Sequence, residues 1–424
     1  MTAFRSPAVD RRTLIAGAAA LLTTDGVVAQ AEPPRPGRAM TCAAFLDVLG
    51  VNLHLGYDNS PYADPERVLA ALDLLGVRHA RDAAVPAAAA ARARYAAVAG
   101  RGIRFCMVSG PRRPIDEAMA ALAGFEHDHP GAVEAIEGPN EIKPAFAYAG
   151  LAGTDAAVRY MSELRLAAAR VGLGAKPLVA FTGYARAASD CDYANVHLYP
   201  RDAAPPDALF ETVLARWSGP SGVMPGKPVL VTELGFHTLS EAPRRPGDWR
   251  GVDEETQAIR IMNSWIAAAT AGLSRLYLYE LLDGDPAGTS QQSRFGLFRA
   301  DGTAKPAAVA VGALIRRLAD GRARSGVRGP RPEISIAAPP SVRWLTLQAS
   351  DGATFLLFRN TAPASSASSP AAASPAPATV ALSLTRPAGL TAWSLVQNLP
   401  HTAQTTAHSA SLTIGRAPVL VRID

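Results

Sequence analysis

Residues 132–141 read AVEAIEGPNE. The apolar run from Ala132 to Ile136 has the length of a buried strand, and it ends in a knot of two carboxylates, a proline and an asparagine. Polar groups gathered at a strand end belong to a loop that caps something or binds something. The pattern recurs along the chain: candidate strands are 47–55 (DVLGVNLHL), 77–81 (VRHAR), 103–108 (IRFCMV), 132–138, 176–183 (KPLVAFTG), 193–199 (YANVHLY), 227–233 (KPVLVTE) and 274–280 (SRLYLYE). Between most of them lie helical periodicities, at 64–76, 92–100, 115–124, 154–171, 207–217, 253–271 and 304–320. In the first of these Asp64 can cap the opening turn, Pro65 takes the first helical position, and Val68, Leu69, Leu72 and Leu75 line one face.

Strands alternating with helices imply parallel pairing through right-handed crossovers. Eight such units in about 275 residues fit an α/β fold of the (β/α)8 TIM barrel type, whose usual length is about 250 residues. A doubly wound open sheet is the alternative, but no glycine-rich phosphate loop follows the first strand. Beyond about residue 325 the period changes to two, in 342–349, 353–360, 378–384, 391–398, 410–415 and 418–424, which is the pattern of a small C-terminal antiparallel β-domain. The stretch 361–378, TAPASSASSPAAASPAPA, is low in complexity and reads as a flexible loop inside that domain. The expected organisation is a barrel over 40–322 and a β-sandwich-like accessory domain over 323–424.

The first 31 residues stand apart. A twin arginine at Arg11-Arg12, an apolar stretch from Leu14 to Leu22 and the small-residue end Ala29-Gln30-Ala31 have the form of an export signal. The expectation is cleavage near Ala31 and a periplasmic or secreted product, with no stable membrane insertion afterwards, because the apolar stretch is far short of the roughly 20 residues that span a bilayer. The formal charge of +5 comes from 42 basic against 37 acidic residues, and no basic run with interleaved aromatics marks a nucleic-acid partner. Three distant cysteines, Cys42, Cys106 and Cys191, form no disulfide framework, and no histidine pair has metal-ligand spacing, so neither a metal nor a cofactor is expected.

In a (β/α)8 barrel the functional groups sit at the C-terminal strand ends. Those positions are His54 on the first strand, Arg81 on the second, Asn140-Glu141 on the fourth, His197 and Tyr199 on the sixth, Glu233 on the seventh and Tyr279-Glu280 on the eighth. Glu141 and Glu233 are 92 residues apart in sequence, yet strands four and seven face one another across a barrel mouth. Two facing carboxylates in different surroundings suit glycosidic cleavage, one kept protonated to donate and the other ionised to meet the anomeric carbon.

The residues GPNE (138–141), HLYP (197–200) and VTELGF (231–236), with YELLDGDP (279–286) and FGLFRADGTAKPA (295–307), resemble the clan A glycoside hydrolases, cellulase-like and xylosidase-like barrels near families 5 and 39. The resemblance covers roughly 45–320 and implies a retaining glycosidase acting on a poly- or oligosaccharide. It implies Glu141 as acid/base and Glu233 as nucleophile, Asn140 on the sugar 2-hydroxyl, Tyr199 and Arg81 holding Glu233 ionised, and His197 in the sugar or nucleophile shell. Arg81 pairing only with Asp82 or Glu137, and structural roles for His54 and His197, remain alternatives. Where many clan members carry a tryptophan at the end of strand eight, this chain has Tyr279-Glu280, so Glu280 either binds hydroxyls or competes with the catalytic assignment. Trp249, in the polar loop 240–255, is the candidate for stacking on a sugar face. A different class stays open, a catalytically inactive saccharide-binding barrel in exopolysaccharide assembly; a Schiff-base lyase is weaker, since Lys143 lies past the strand.

Overall fold

Each of the eight apolar runs becomes a strand: Leu49–Asn52 (β1), His79–Ala83 (β2), Arg104–Val108 (β3), Val133–Glu137 (β4), Leu178–Val179 (β5), Ala194–Leu198 (β6), Val229–Leu234 (β7) and Arg275–Leu278 (β8). The structure, a computed structural model, describes residues 39–200, 206–239, 249–285, 290–319, 332–362, 375–397 and 400–424. The expected export signal at 1–31 lies outside these residues, as do 240–248 of the loop after β7, 320–331 where the two expected domains meet, and 363–374 of the low-complexity stretch.

The eight strands pair in parallel in the order β5-β4-β3-β2-β1-β8-β7-β6, and a parallel bridge between Val179 and Tyr193 brings β5 against β6 to close the ring. Helices follow seven of the strands: Pro65–Leu75 (α1), Ala89–Ala99 (α2), Ile115–Asp128 (α3), Gly153–Arg170 (α4), Pro206–Trp217 (α5), Glu254–Ala271 (α6) and Pro306–Ala319 (α7). The β5 to β6 crossover carries none, in line with the missing helical period there. Local sequence sets the helix ends. Asp64 accepts from the Arg67 amide at 3.1 Å to start α1, and Asp253 accepts from the Thr256 amide at 2.7 Å to start α6.

Inside the ring the side chains are layered. Cys106, Ala135, Val179, Leu230 and Tyr277 form an apolar middle layer. Above it, towards the C-terminal strand ends, lie the buried polar residues Asn52, Arg81, Glu137, Asn195 and Thr232. Such groups are tolerated in a core only when they bond one another, and they do so here.

The C-terminal region is a second, antiparallel-rich sheet of Ile334–Ala337 (β9), Val342–Gln348 (β10), Thr354–Asn360 (β11), Ala378–Ser394 (β12), Pro400–Ile414 (β13) and Val419–Ile423 (β14). Its edge is extended by Met40–Thr41, which pair in parallel with Leu347 and Gln348. Two expected strands, 378–384 and 391–398, run together as β12, and β9 was not foreseen. The alternation along β11 divides its contacts. Phe355 and Leu357 join the core cluster that also holds the barrel residues, while Leu356 and Phe358 join a separate cluster with Val380 and Leu382. Buried Arg359 grips Asp207 at the start of α5 with both terminal nitrogens, fixing sheet to barrel. All three cysteines are buried free thiols. Among the described residues no helix is long and apolar enough to cross a membrane.

Candidate active site

Arg81, in the middle of β2, which runs two residues past the end expected from sequence, organises the barrel mouth. Its Nε and Nη2 donate to the two carboxylate oxygens of Glu137 at 2.6 and 2.7 Å. Nη1 donates to Asn52 Oδ1 at 2.8 Å and to Glu233 Oε1 at 2.7 Å, and Nη2 also reaches Asn140 Oδ1 at 2.6 Å. All five donors of the guanidinium are therefore satisfied, which a lysine could not achieve. Burial alone would lower the Arg81 pKa, but Glu137 and Glu233 hold it well above the ordinary arginine value. Arg81 is thus ion-paired with Glu137 but not with it only, since it also bonds Glu233. Its Asp82 neighbour faces elsewhere. Glu137 is fully buried, with Asn195 Nδ2 adding a bond to it at 3.0 Å, so the first glutamate of the EGPNE stretch supports the site from within the barrel.

Glu233 owes its direction to a bulge. The pairing of β7 slips between Val231 and Glu233 against β6, and between Val231 and Leu234 against β8. Thr232 and Glu233 consequently both face inwards, Thr232 to Asn195 Oδ1 at 2.7 Å and Glu233 to Arg81 and the Tyr199 phenol. Burial would raise the Glu233 pKa, but His197, Arg81 and the Tyr199 hydroxyl outweigh it and hold it down to about 2. Burial and the Glu233 charge push Tyr199 well above the usual phenol range, so its proton stays on and is donated.

Glu141 is placed by its backbone. It has φ +47°, a left-handed conformation that non-glycine residues seldom adopt and that costs about 1–3 kcal/mol. Three bonds to the crossover after β5 hold it: Glu141 N–H to Thr182 Oγ1 at 2.9 Å, Ile142 N–H to Thr182 O at 2.7 Å, and Tyr184 N–H to Ile142 O at 3.1 Å. Gly183 permits this close approach, since a Cβ there would lie 2.4 Å from the Ile142 carbonyl oxygen. A Glu141 carboxyl oxygen lies 3.0 Å from His197 Nδ1, and the same nitrogen lies 3.5 Å from Glu233 Oε2. Burial would lower the His197 pKa, but Glu233 and Glu141 raise it above its ordinary 6.5. One carboxylate oxygen of each glutamate and a ring nitrogen of His197 all lie within 4.8 Å of one another. That compact set could in principle hold a metal ion, yet Arg81 and Tyr199 already occupy both oxygens of Glu233.

The cleft over these groups is lined by Asn140, Glu141, Tyr199, Glu233 and Tyr279, and it continues past His54, Tyr57 and Asp82. Because Arg81 takes the Asn140 carbonyl oxygen, the amide nitrogen is the group left to donate into the cleft. His54 Nε2 lies 3.0 Å from Glu280 Oε2, an ion-pair distance whose alignment does not make a hydrogen bond. Glu280 is almost fully buried, receives the Tyr62 hydroxyl at 3.2 Å, and sits behind His54. Trp249 packs with Tyr199, His237 and Phe295, at centroid distances of 5.3 to 6.4 Å, behind the cleft wall.

Several members of the site were not singled out from sequence. Asn52, Thr182, Asn195 and Thr232 are polar residues inside or beside apolar strands, and that incongruity is the signal that could have found them. Asp82 lines the cleft, and burial, opposed by His54, pushes its carboxyl up to about 6.

Against this geometry, comparison with solved structures is informative about the fold. A family 39 glycoside hydrolase from Bacteroides cellulosilyticus WH2 superposes over 91% of this chain and 82% of its own, with TM-score 0.59 and 13% identity. A monomeric β-xylosidase from Caulobacter crescentus CB15 gives TM-score 0.57 and 13% identity over 90% of this chain and 96% of its own. The chain carries the fold of these glycoside hydrolases. A glucosidase from Croceicoccus marinus gives TM-score 0.56 and 12% identity over 92% of this chain and 97% of its own. No protein-family model and no curated protein sequence matches the chain.

Proposed function

We propose that the protein is a retaining glycoside hydrolase that cleaves β-glycosidic bonds of a poly- or oligosaccharide with Glu233 as nucleophile and Glu141 as acid/base. The observation that carries the reading is the carboxylate pair itself, one oxygen of each lying within 4.8 Å of the other, with Glu233 held ionised at about 2. Nucleophilic attack uses a carboxyl separation of about 5–5.5 Å and inversion one of about 6.5–9.5 Å, so the anomer released first is the readout that separates the two. The solved neighbours, each a glycoside hydrolase by its own description, support the same class.

In the first step a Glu233 oxygen bonds to the anomeric carbon while Glu141 gives its proton to the glycosidic oxygen and the leaving sugar departs. Arg81 and Tyr199 orient the attacking carboxylate. Bonding to the sugar cancels the Glu233 charge. Glu141, now ionised and relieved of a like charge, takes a proton from water as that water attacks the anomeric carbon and frees Glu233. Asn140 donates to the 2-hydroxyl beside the reacting carbon, and His54 and Tyr279 contact the sugar on the far side. Glu280 serves by holding His54. Residues 1–31 direct export in this reading, so the activity is periplasmic or secreted, and the C-terminal β-domain acts as an accessory to the barrel.

The test is release of reducing ends from β-glucans, xylans, mannans, galactans and bacterial exopolysaccharides by wild type, Glu141→Gln and Glu233→Gln. Release that both substitutions abolish supports the reading. Equal binding of a glycan by all three proteins without cleavage would replace it with the inactive saccharide-binding barrel.

A further inference from the structure

The loop after β3 runs Ser109-Gly110-Pro111-Arg112-Arg113-Pro114, and it treats its two arginines differently. Arg113 closes a turn with its N–H on the Gly110 carbonyl at 3.4 Å, and its Nη1 donates to the Val85 carbonyl, in the loop after β2, at 2.8 Å. Ser109 Oγ is bonded to the Tyr160 hydroxyl of α4 at 2.9 Å. Pro111 and Pro114 fix the φ angles on either side of the arginine pair. The loop is therefore anchored at its start, by Arg113 and by two prolines, and Arg112 is left at the third position of the turn.

Arg112 is exposed, and it lines the same cleft as Asn140, Glu141 and Glu233. Among the described residues its guanidinium has no hydrogen-bond or ion-pair partner. The other arginine of the cleft, Arg81, gives all its donors to Glu137, Glu233, Asn52 and Asn140. The acids of the cleft are engaged elsewhere. Glu233 meets Arg81 and Tyr199, and Glu141 lies beside His197. Asp82 is buried, and its two oxygens accept the N–H groups of Leu55 at 2.8 Å and Ala83 at 2.7 Å, which joins the loops after β1 and β2. In the ring β3 lies between β2 and β4, so the Arg112 loop rises between the strands that lead to Asp82 and to Glu141.

The cleft thus holds one cation that the described fold does not answer, on a loop that the fold does hold. A guanidinium fork matches a carboxylate or sulfate with two parallel bonds, and in a walled cleft its field attracts an anion from outside. A neutral glycan offers it only hydroxyls.

We propose that Arg112 is an anion-recognising residue of this cleft and that the substrate is an acidic glycan, with an oxyanion on a sugar at or beside the bond that is cut. The inference rests on the glycoside hydrolase reading of the same cleft. A uronate carboxylate and a sulfate ester present the same chemistry to Arg112, and the experiment separates them.

β-Glucans, β-mannans and β-galactans are each supplied in three forms: neutral, oxidised at C6 to the uronate, and sulfated at O6. Reducing-end release is measured for wild type, Arg112→Gln and Arg112→Lys, and binding is measured by calorimetry on Glu233→Gln with and without Arg112→Gln. Wild type is expected to favour one acidic form over the neutral form of the same backbone by about tenfold or more in kcat/KM. Arg112→Gln should lower that ratio about tenfold, through KM, while Arg112→Lys keeps part of it because the charge stays and the fork is lost. Added salt should shrink the preference in wild type and leave Arg112→Gln little changed. Wild type cutting the neutral form as well as the acidic ones, or an unchanged ratio in Arg112→Gln, would overturn the inference and leave the hydrolase reading intact. If no form is cut, the hydrolase reading falls. The role of Arg112 then survives only if an acidic form binds and Arg112→Gln weakens that binding about tenfold; absent or unchanged binding overturns it too.

Discussion

Two histidines in this barrel each sit between two carboxylates, one at the bottom and one at the top, and only one of them belongs to a plausible active site. At the bottom, His79 is fully buried, with Nδ1 2.7 Å from Glu134 and Nε2 2.8 Å from Asp47. Arg104 and Arg275 flank both acids at 3.5 to 3.8 Å, and the Tyr277 hydroxyl takes the other Glu134 oxygen at 2.9 Å. At the top, His197 lies 3.0 Å from Glu141 and 3.5 Å from Glu233, and Arg81 gives its donors to Glu137, Asn52, Asn140 and Glu233 and none to Glu141. The bottom cluster is neutralised on every side, as fits a closing plug at the N-terminal strand ends. The top leaves one carboxylate with an imidazole as its side-chain partner, facing a cleft. Residue types and distances alone do not separate the two; an acid that no arginine pairs, beside an open cleft, does.

Substitutions at the top should sharpen the contrast most. Glu233→Gln is expected to lower kcat about 10⁴-fold or more, since it removes the proposed nucleophile. Glu141→Gln should cost about 10²–10⁴-fold on natural glycosides and far less on a nitrophenyl glycoside, whose leaving group needs no proton. Steady-state kinetics on both substrates reads the two effects, and equal losses on the two substrates in Glu141→Gln would remove Glu141 from the acid role. Arg81→Ala leaves Glu137 buried without its cation, so denaturant unfolding should show about 3–5 kcal/mol of lost stability. At the bottom, Glu134→Gln is expected to cost about 1–3 kcal/mol in the same measurement, through imperfect pairing of His79. Its kcat/KM should stay within about twofold of wild type, because a plug acts on stability alone. A larger fall in activity would break the comparison. The last effect is in pH. Glu233 is held at about 2 against 4.5 in its unperturbed state, so its ionisation stabilises the fold fully above 4.5, and that contribution is lost as pH falls towards 2. His197 is raised above 6.5, so its contribution is complete below that value and lost as pH rises through the raised one. NMR titration of His197 in Glu233→Gln should find its pKa lowered.

The strands were legible because each is a short apolar run between turn residues, and all eight overlap their expected segments, with β2 running two residues past its expected end. β5 is the instructive exception. KPLVAFTG reads as an eight-residue strand, but only Leu178–Val179 pair in the barrel, because Thr182 and Gly183 leave it to clamp the Glu141 loop. In the second sheet, β12 continues through Arg386-Pro387, between the two strands expected at 378–384 and 391–398. At the site, strand-end position picked out Arg81, Glu141, His197, Tyr199 and Glu233, which the structure brings together. Their partners were hidden because the contacts span 56 residues from Arg81 to Glu137 and 152 from Arg81 to Glu233, distances that no local pattern encodes. Side-chain direction was hidden too. Trp249, partly buried, packs against Phe295 and Tyr199, whereas Tyr57, which no motif marked, lines the cleft.

The central claim is that Glu233, fixed by Arg81 and Tyr199 within 4.8 Å of Glu141, bonds to the sugar. Proton NMR of the first anomer released from a β-linked substrate, recorded before mutarotation, tests it most directly. Two displacements at one carbon restore its configuration, so the β-anomer is expected first. The α-anomer appearing first would mean that water attacks directly, and the covalent role of Glu233 would be contradicted.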